Sequence, residues 1–233
     1  MPTAIITGTS AGLGQAIVVK LLAQGWRVHG FSRQMTNIPH PNFIGHKVDV
    51  VQDIDVQKAV ALVLASESAI DLLINNAGAA SMNALMLTPS AVAENLMRVN
   101  YLGAFHCLQA VGKQMVRQRR GLIINVTTVA VPLALEGEAA YVASKAALDA
   151  LTKVAGKELK THGVTVIGLG FGPIPTKLTR TVDGTKLQQL NAAIGRPHGT
   201  SLSDATEFIF EAIQEKNLAP GSISYLGKVS HTD

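Results

Sequence analysis

Apolar residues along the chain fall into two kinds of segment that take turns. Short unbroken runs such as Thr3-Ala4-Ile5-Ile6-Thr7 are rich in β-branched side chains, whereas Leu13, Ile17, Leu21 and Leu22 recur at helical spacing. This opening reads as a strand, a Gly-rich turn and a helix ended by Gly25, with Trp26 to Phe31 as the next strand. The alternation continues down the chain. Strands are predicted at Phe43 to Val48, Asp71 to Asn75, Leu122 to Val126, Val164 to Leu169 and Ser222 to Leu226. Helices are predicted at Asp53 to Ser66, as one long element entered at Thr88-Pro89, at Ala139 to Lys160 and at Ser203 to Glu215. Strands without polar alternation are buried on both faces, as in a parallel sheet covered by helices. The expected fold is therefore α/β, a doubly wound parallel seven-stranded sheet of the Rossmann type with helices on both faces. Such sheets bind ligands beyond the carboxyl ends of their strands. Residues 1–233 are expected to form a single domain, with about 170–200, which lacks clear periodicity, as a lid or binding loop.

Composition narrows the class. Hydrophobic residues make up 47% and charged residues 15%, which excludes disordered, collagenous and coiled-coil chains. The single cysteine, Cys107, cannot form an internal disulfide and reads as a small core hydrophobe. With no secretory signal pattern at the start and no long apolar span, a cytoplasmic protein without a membrane partner is expected. The formal net charge is +4, but the cations are scattered, and Arg117, Arg119 and Arg120 suit a helix C-terminus, so no nucleic-acid partner is expected. The seven histidines show no metal-binding spacing, so no catalytic metal is expected.

Candidate chemistry lies just after the strands. In Thr7-Gly8-Thr9-Ser10-Ala11-Gly12-Leu13-Gly14 the three glycines let the backbone turn sharply and let a pyrophosphate approach the helix N-terminus. The second strand runs into Ser32 and Arg33, where an acidic residue would accept from a ribose hydroxyl and an Arg would accommodate a 2′-phosphate. Arg33 reads as a phosphate clamp or as an ordinary surface cation. Asp49 either contacts the adenine or caps the next turn. Tyr141 and Lys145 are four apart in a helical segment and share a face, so an ammonium can pull the phenol pKa down from ~10 toward working pH. Thr128, thirteen residues before Tyr141, offers a hydroxyl to a carbonyl or only to the strand end.

Taken in order, the Gly-rich turn, Asn75-Asn76-Ala77-Gly78, Asn100, Asn125-Val126-Thr127-Thr128 and Tyr141-x-x-x-Lys145 resemble the short-chain dehydrogenase/reductase family over about residues 3–176. The resemblance implies that Tyr141 is the proton donor, that Lys145 holds the nicotinamide ribose and lowers the tyrosine pKa, that Thr128 orients the carbonyl, and that Asn100 helps hold a relay water. It implies cofactor contacts at Gly8, Thr9, Ser10, Gly12, Leu13, Gly14, Ser32, Arg33, Asp49, Asn76, Ala77, Gly78, Tyr141, Lys145, Gly172, Ile174 and Thr176. The sequence departs from the family pattern in four places. Thr128 replaces a serine, Phe171 stands where proline is usual, Ile167 where asparagine is frequent, and Tyr225-Leu226-Gly227-Lys228 stands in place of the family's V-D-G-G-like ending.

The reading is an oxidoreductase that prefers NADPH/NADP to NADH and acts on a small-molecule ketone, aldehyde or secondary alcohol. A dinucleotide-sensing regulatory protein on the same fold is the alternative. Acyl-carrier protein is a candidate partner, because the positions that are basic in the family's 3-oxoacyl-acyl-carrier-protein reductases hold Arg119 and His162. Met82, Leu85, Met86, Leu133 and Leu135 are candidates for an apolar substrate cleft or for core. The two long helices resemble those that pair between family subunits, so a homodimer or homotetramer is expected.

Overall fold

A computed structural model describes residues 1–176 and 184–229. Its strands are β1 (Thr3–Thr7), β2 (Arg27–Ser32), β3 (Phe43–Lys47), β4 (Leu72–Asn75), β5 (Gly121–Thr128), β6 (Val164–Phe171) and β7 (Ile223–Tyr225). They form one sheet in the order β3-β2-β1-β4-β5-β6-β7, parallel throughout. The helices are α1 (Gly12–Ala23), α2 (Asp53–Ser66), α3 (Ser90–Met97), α4 (Gly103–Gln118), α5 (Ala130–Leu133), α6 (Ala139–Lys160), α7 (Gly184–Ala193) and α8 (Leu202–Gln214). Strand order reverses between β1 and β4, and the crevice at that reversal is where a doubly wound sheet takes its ligand.

The unbroken apolar runs are explained by the two cores they serve. In β1, Ala4 and Ile6 join the cluster with Ile17 and Leu21 of α1 and Ile209 of α8, while Ile5 faces Val56 and Val60 of α2 and Cys107 and Val111 of α4. Burial pushes the Cys107 thiol up to about 12, as an inert core position requires. Among the described residues no helix is long and apolar enough to cross a membrane.

Four differences from the sequence-based expectation matter. The β5–β6 ladder runs from Gly121–Val164 to Thr128–Phe171, so Thr128 is the last residue of a strand and not part of the segment after it. The long helix is interrupted by a π-helical turn at Arg98–Leu102 with Asn100 inside it, a local irregularity of the sort found at functional sites. The expected loop of about 170–200 contains α7, whose Leu187 and Leu190, with Ile194 just past its end, carry a helical spacing that the sequence reading overlooked; residues 177–183 of that segment lie outside the described residues. Phe171 sends its ring into the core at 5.9 Å edge-to-face with Phe208, which accounts for an aromatic residue where the family keeps proline.

A polar cluster sits beneath the outer strands. His29, 1% exposed, is bonded through Nδ1 to Nε2 of His46 at 2.9 Å and through Nε2 to Glu67 at 3.3 Å, and Arg27 donates to the same carboxylate. Burial holds the His29 pKa below its usual value of 6.5, although Glu67 opposes the shift. The unfolded chain therefore binds a proton that the folded chain resists, so His29 contributes stability that is present above pH ~6.5 and lost as pH falls toward its folded value. The thermal midpoint is expected to drop between pH 7 and pH 5, and less steeply in His29→Gln. Equal slopes in calorimetric scans of the two proteins would rule the histidine out as a source of acid sensitivity.

Candidate active site

Gly8 and Gly12 hold φ of +75° and +60°, left-handed values that favour glycine. A Cβ on Gly14 would collide with the Gly8 carbonyl, so α1 rests directly on the turn that precedes it. Ala11 gives α1 no side-chain cap, and its first turn carries no acidic residue. The free N–H groups thus open onto the cleft with the positive end of the helix dipole, a cradle suited to an anion such as a pyrophosphate. The cleft has a volume of about 1270 Å³, beyond the ~300–1,000 Å³ of an ordinary small-ligand pocket, and suits a dinucleotide with a substrate.

The cradle is latched to the switch point. Thr7 Oγ1 accepts from the backbone N–H of Asn76 at 3.0 Å and of Ala77 at 2.9 Å, and Asn76 Nδ2 donates to the Thr7 carbonyl at 2.9 Å. Behind it, Asn75 donates to Asn125, Asn125 to Thr152 and Thr152 to the Leu148 carbonyl, a buried ladder from β4 through β5 to α6. Gly8, Ser10, Gly12, Leu13, Asn76, Ala77 and Gly78 all line the cleft. So do Gly172, Ile174 and Thr176, the last lying over Gly12, where an added Cβ would meet its methyl at 3.3 Å.

Two of the expected cofactor residues do not line the cleft. Thr9 is fully buried and does not line the cleft; its hydroxyl pairs with that of Thr36 at 3.3 Å. Gly14 is packed against Gly8 and serves helix-on-strand approach. Thr36 also bonds Ser32 Oγ at 2.9 Å, and Ser32 in turn donates to the Gln34 carbonyl, so three hydroxyls shape the bend after β2. That bend presents Arg33 at the cleft, exposed and without an ion pair among the described residues. Asp49 lines the cleft and caps the next turn, accepting from the backbone N–H of Val51 at 3.1 Å.

At the far end of the cleft stand Thr128, Tyr141 and Lys145. Thr128 Oγ1 accepts from the backbone N–H of Ala130 at 3.1 Å, which leaves its proton free to donate elsewhere, and the hydroxyl interacts with the Tyr141 phenol. Lys145 Nζ donates to the Val126 carbonyl at 2.7 Å. Asn100 does not line the cleft. Its amide is occupied by the Ala79 backbone, accepting at 2.8 Å and donating at 2.9 Å, and by Ser144 Oγ at 2.9 Å.

The electrostatics correct the expected lowering of the tyrosine pKa. Burial pushes the Tyr141 phenol up to about 12; the Thr128 hydroxyl opposes this, and the Glu138 and Asp149 carboxylates add to it. Burial brings Lys145 down to about 8, against the pull of Asp149. The structure therefore presents a phenol with its proton in place beside an ammonium only just held charged at neutral pH.

Thr7, Thr36, Ser144 and Glu138 were missed by the sequence reading. Glu138, a half-buried carboxyl raised by burial, lines the cleft three residues before Tyr141. The tandem Thr7-Gly8 at a strand end was a usable signal; nothing in the sequence singles out the other three. Of the apolar candidates, Met82 and Leu135 line the cleft, Leu133 does not, and Leu85 and Met86 are 69% and 90% exposed on a 3-10 turn. Arg119 and His162 precede the first residues of β5 and β6, at the opposite edge of the sheet from Tyr141. Within one chain they do not flank the cleft entrance, contrary to expectation.

Residues 2–186 match a family model described as short chain dehydrogenase. A 3-oxoacyl-acyl-carrier-protein reductase of Staphylococcus epidermidis is 32% identical over 199 residues, covering 81% of this chain and 82% of that protein. Among solved structures, ElxO with NADP bound aligns at a TM-score of 0.87 with 21% identity over 96% of each chain. The 3-ketoacyl-(acyl-carrier-protein) reductase of Brucella melitensis complexed with NADH aligns at 0.89 with 20% identity, covering 97% of this chain and 96% of that one. At those identities the two structures are likenesses of fold.

Proposed function

The chain belongs to the short-chain dehydrogenase family of oxidoreductases, and we propose that it is an NADPH-preferring reductase of ketones or aldehydes that also runs in reverse on secondary alcohols. The observation that carries this reading is the protonated Tyr141 phenol beside a Thr128 hydroxyl, at one end of a cleft whose other end is an uncapped helix N-terminus. When bound, the nicotinamide supplies or takes up the hydride. The chain's part is positioning and proton handling. The Gly-rich turn and α1 hold the pyrophosphate, Thr128 donates to the carbonyl oxygen, and Tyr141 passes its proton to that oxygen as charge builds there. Lys145 favours the phenolate left behind and holds the ribose. The Asn100 side-chain amide, held by Ala79 and Ser144, braces the segment beside the cleft.

Preference for NADPH rests on Arg33 and on the lack of a carboxylate at the end of β2. The relatives' cofactors and substrates leave the substrate open between a free carbonyl compound and a carrier-bound 3-oxoacyl group. With Arg119 and His162 on the far edge of the sheet, a carrier bound there serves the cleft of a second copy, in keeping with assembly into at least a dimer through α4 and α6. Loss of NADPH absorbance with a panel of ketones, aldehydes and 3-oxoacyl thioesters tests the proposal. Tight NADPH binding with no turnover of any carbonyl would instead make the chain a dinucleotide sensor.

Thr128 gives a sharper test of the carbonyl contact. Thr128→Ser keeps the donor and should retain substantial activity, while Thr128→Val keeps the shape and should lose about 1–3 kcal/mol of transition-state stabilisation, read as kcat/KM. Equal kcat/KM in all three proteins would assign the hydroxyl to the Ala130 turn alone.

A further inference from the structure

Tyr141, Lys145 and Asp149 stand at successive i+4 steps of α6 and so share one face of the helix. The third has no part in the reaction as derived above. It is 5% exposed, deep for a carboxylate, and its Oδ1 has no hydrogen-bond partner among the described residues. Its surroundings are specific. Lys145, Lys153 and Tyr141 interact with it along α6. Burial raises the Asp149 carboxyl above its usual value, and the Thr127 hydroxyl of β5, also without a partner of normal geometry, opposes that rise together with Lys145 and Lys153. From β7 the Tyr225 ring lies over Gly170 beside the Thr127 methyl, and its phenol is pushed up to about 12 by burial and by the Asp149 charge.

Lys145 is the only one of these groups that is both buried and cationic; Lys153 is exposed. Its Nζ meets the Val126 carbonyl, a neutral acceptor that leaves two ammonium protons for other partners. Desolvation of a buried ammonium favours the neutral amine, and Asp149 is the one carboxylate that opposes it. We propose that Asp149 is a positioning residue for the reaction, a buried carboxylate one turn behind Lys145 that keeps the ammonium charged where Tyr141 needs it. The inference rests on the reductase reading for its catalytic meaning but not for its test.

Two unit charges about one helical turn apart, at an effective dielectric constant of ~20, shift one another by about 1–2 pH units. In the whole protein labelled with ¹³Cε-lysine, the Lys145 resonance is expected to titrate near pH 8 and to move down by about 1–2 units in Asp149→Asn. The alkaline limb of kcat/KM for carbonyl reduction should move the same way, with the plateau below it little changed, and Asp149→Glu should bring the limb back. Should Asp149→Asn fail to fold, Asp149→Ser removes the charge with a smaller side chain and is read identically. An unmoved Lys145 midpoint overturns the proposal, as does an equal loss at every pH in the Asn and Glu variants, the mark of a packing role. A moved midpoint with no turnover of any carbonyl sinks the reductase reading and leaves the Asp149–Lys145 linkage standing.

Discussion

Tyr141→Phe is expected to lower turnover by roughly 10²–10⁴ while leaving NADPH binding little changed. The ring keeps its place in the cleft wall beside Thr128 and loses only the atom that gives up a proton. Because burial holds that phenol up to about 12, it carries its proton across the whole neutral range. The decline of reduction at high pH then follows Lys145, whose ammonium is lost as pH rises through about 8. Measuring kcat with any accepted carbonyl, alongside a fluorescence titration of NADPH, separates the chemical step from binding. Turnover at the wild-type level in the Phe variant would remove Tyr141 from the mechanism.

Arg33→Ala is expected to reduce the NADPH-over-NADH preference in kcat/KM by roughly 10- to 150-fold with NADH kinetics almost untouched. A guanidinium on a phosphate is worth ~1.5–3 kcal/mol, each 1.36 kcal/mol is a factor of ten, and the exposed position at the rim keeps the gain near the lower end. The structure also says where an acid for converting the preference belongs. Ser32 is 6% exposed and tied to Thr36 and the Gln34 carbonyl, so a carboxylate there would be buried and would break the bend. Arg33 is exposed at the cleft, so a carboxylate at position 33 would stay solvated. An unchanged cofactor ratio in Arg33→Ala, measured at matched ionic strength, would return Arg33 to an ordinary surface cation.

The elements that the sequence made legible are those built on long periodic or unbroken apolar runs. β1, α1, α2 and α6 stand within a residue of their expected limits, because burial on both sheet faces writes itself into composition. The π turn at Arg98–Leu102 does not, since its cause is the fit of Asn100 between Ala79 and Ser144, residues 21 and 44 positions away along the chain. For the same reason the direction of the Tyr141 pKa shift is not legible in the sequence. Spacing places Lys145 on the same helix face, but only the fold reveals that the phenol is buried and that two carboxylates add to the rise. The inward turn of the Thr9 side chain is likewise hidden, because adjacency to glycines says nothing about which way a side chain points once the strand has ended.

The Thr7–Asn76 latch bears on how a cofactor would be greeted. Its bonds join the last residue of β1 to the two residues that follow β4, its sheet neighbour, so the anion cradle is a property of the folded state and not a shape assembled around a guest. Affinity drawn from such a preorganised site is not diminished by the entropy of ordering a loop. Its other face is vulnerability. A change anywhere that loosens β1 from β4 weakens nucleotide capture and global stability together, so damaged molecules lose their cofactor as they begin to open, and a saturating dinucleotide holds the whole sheet closed.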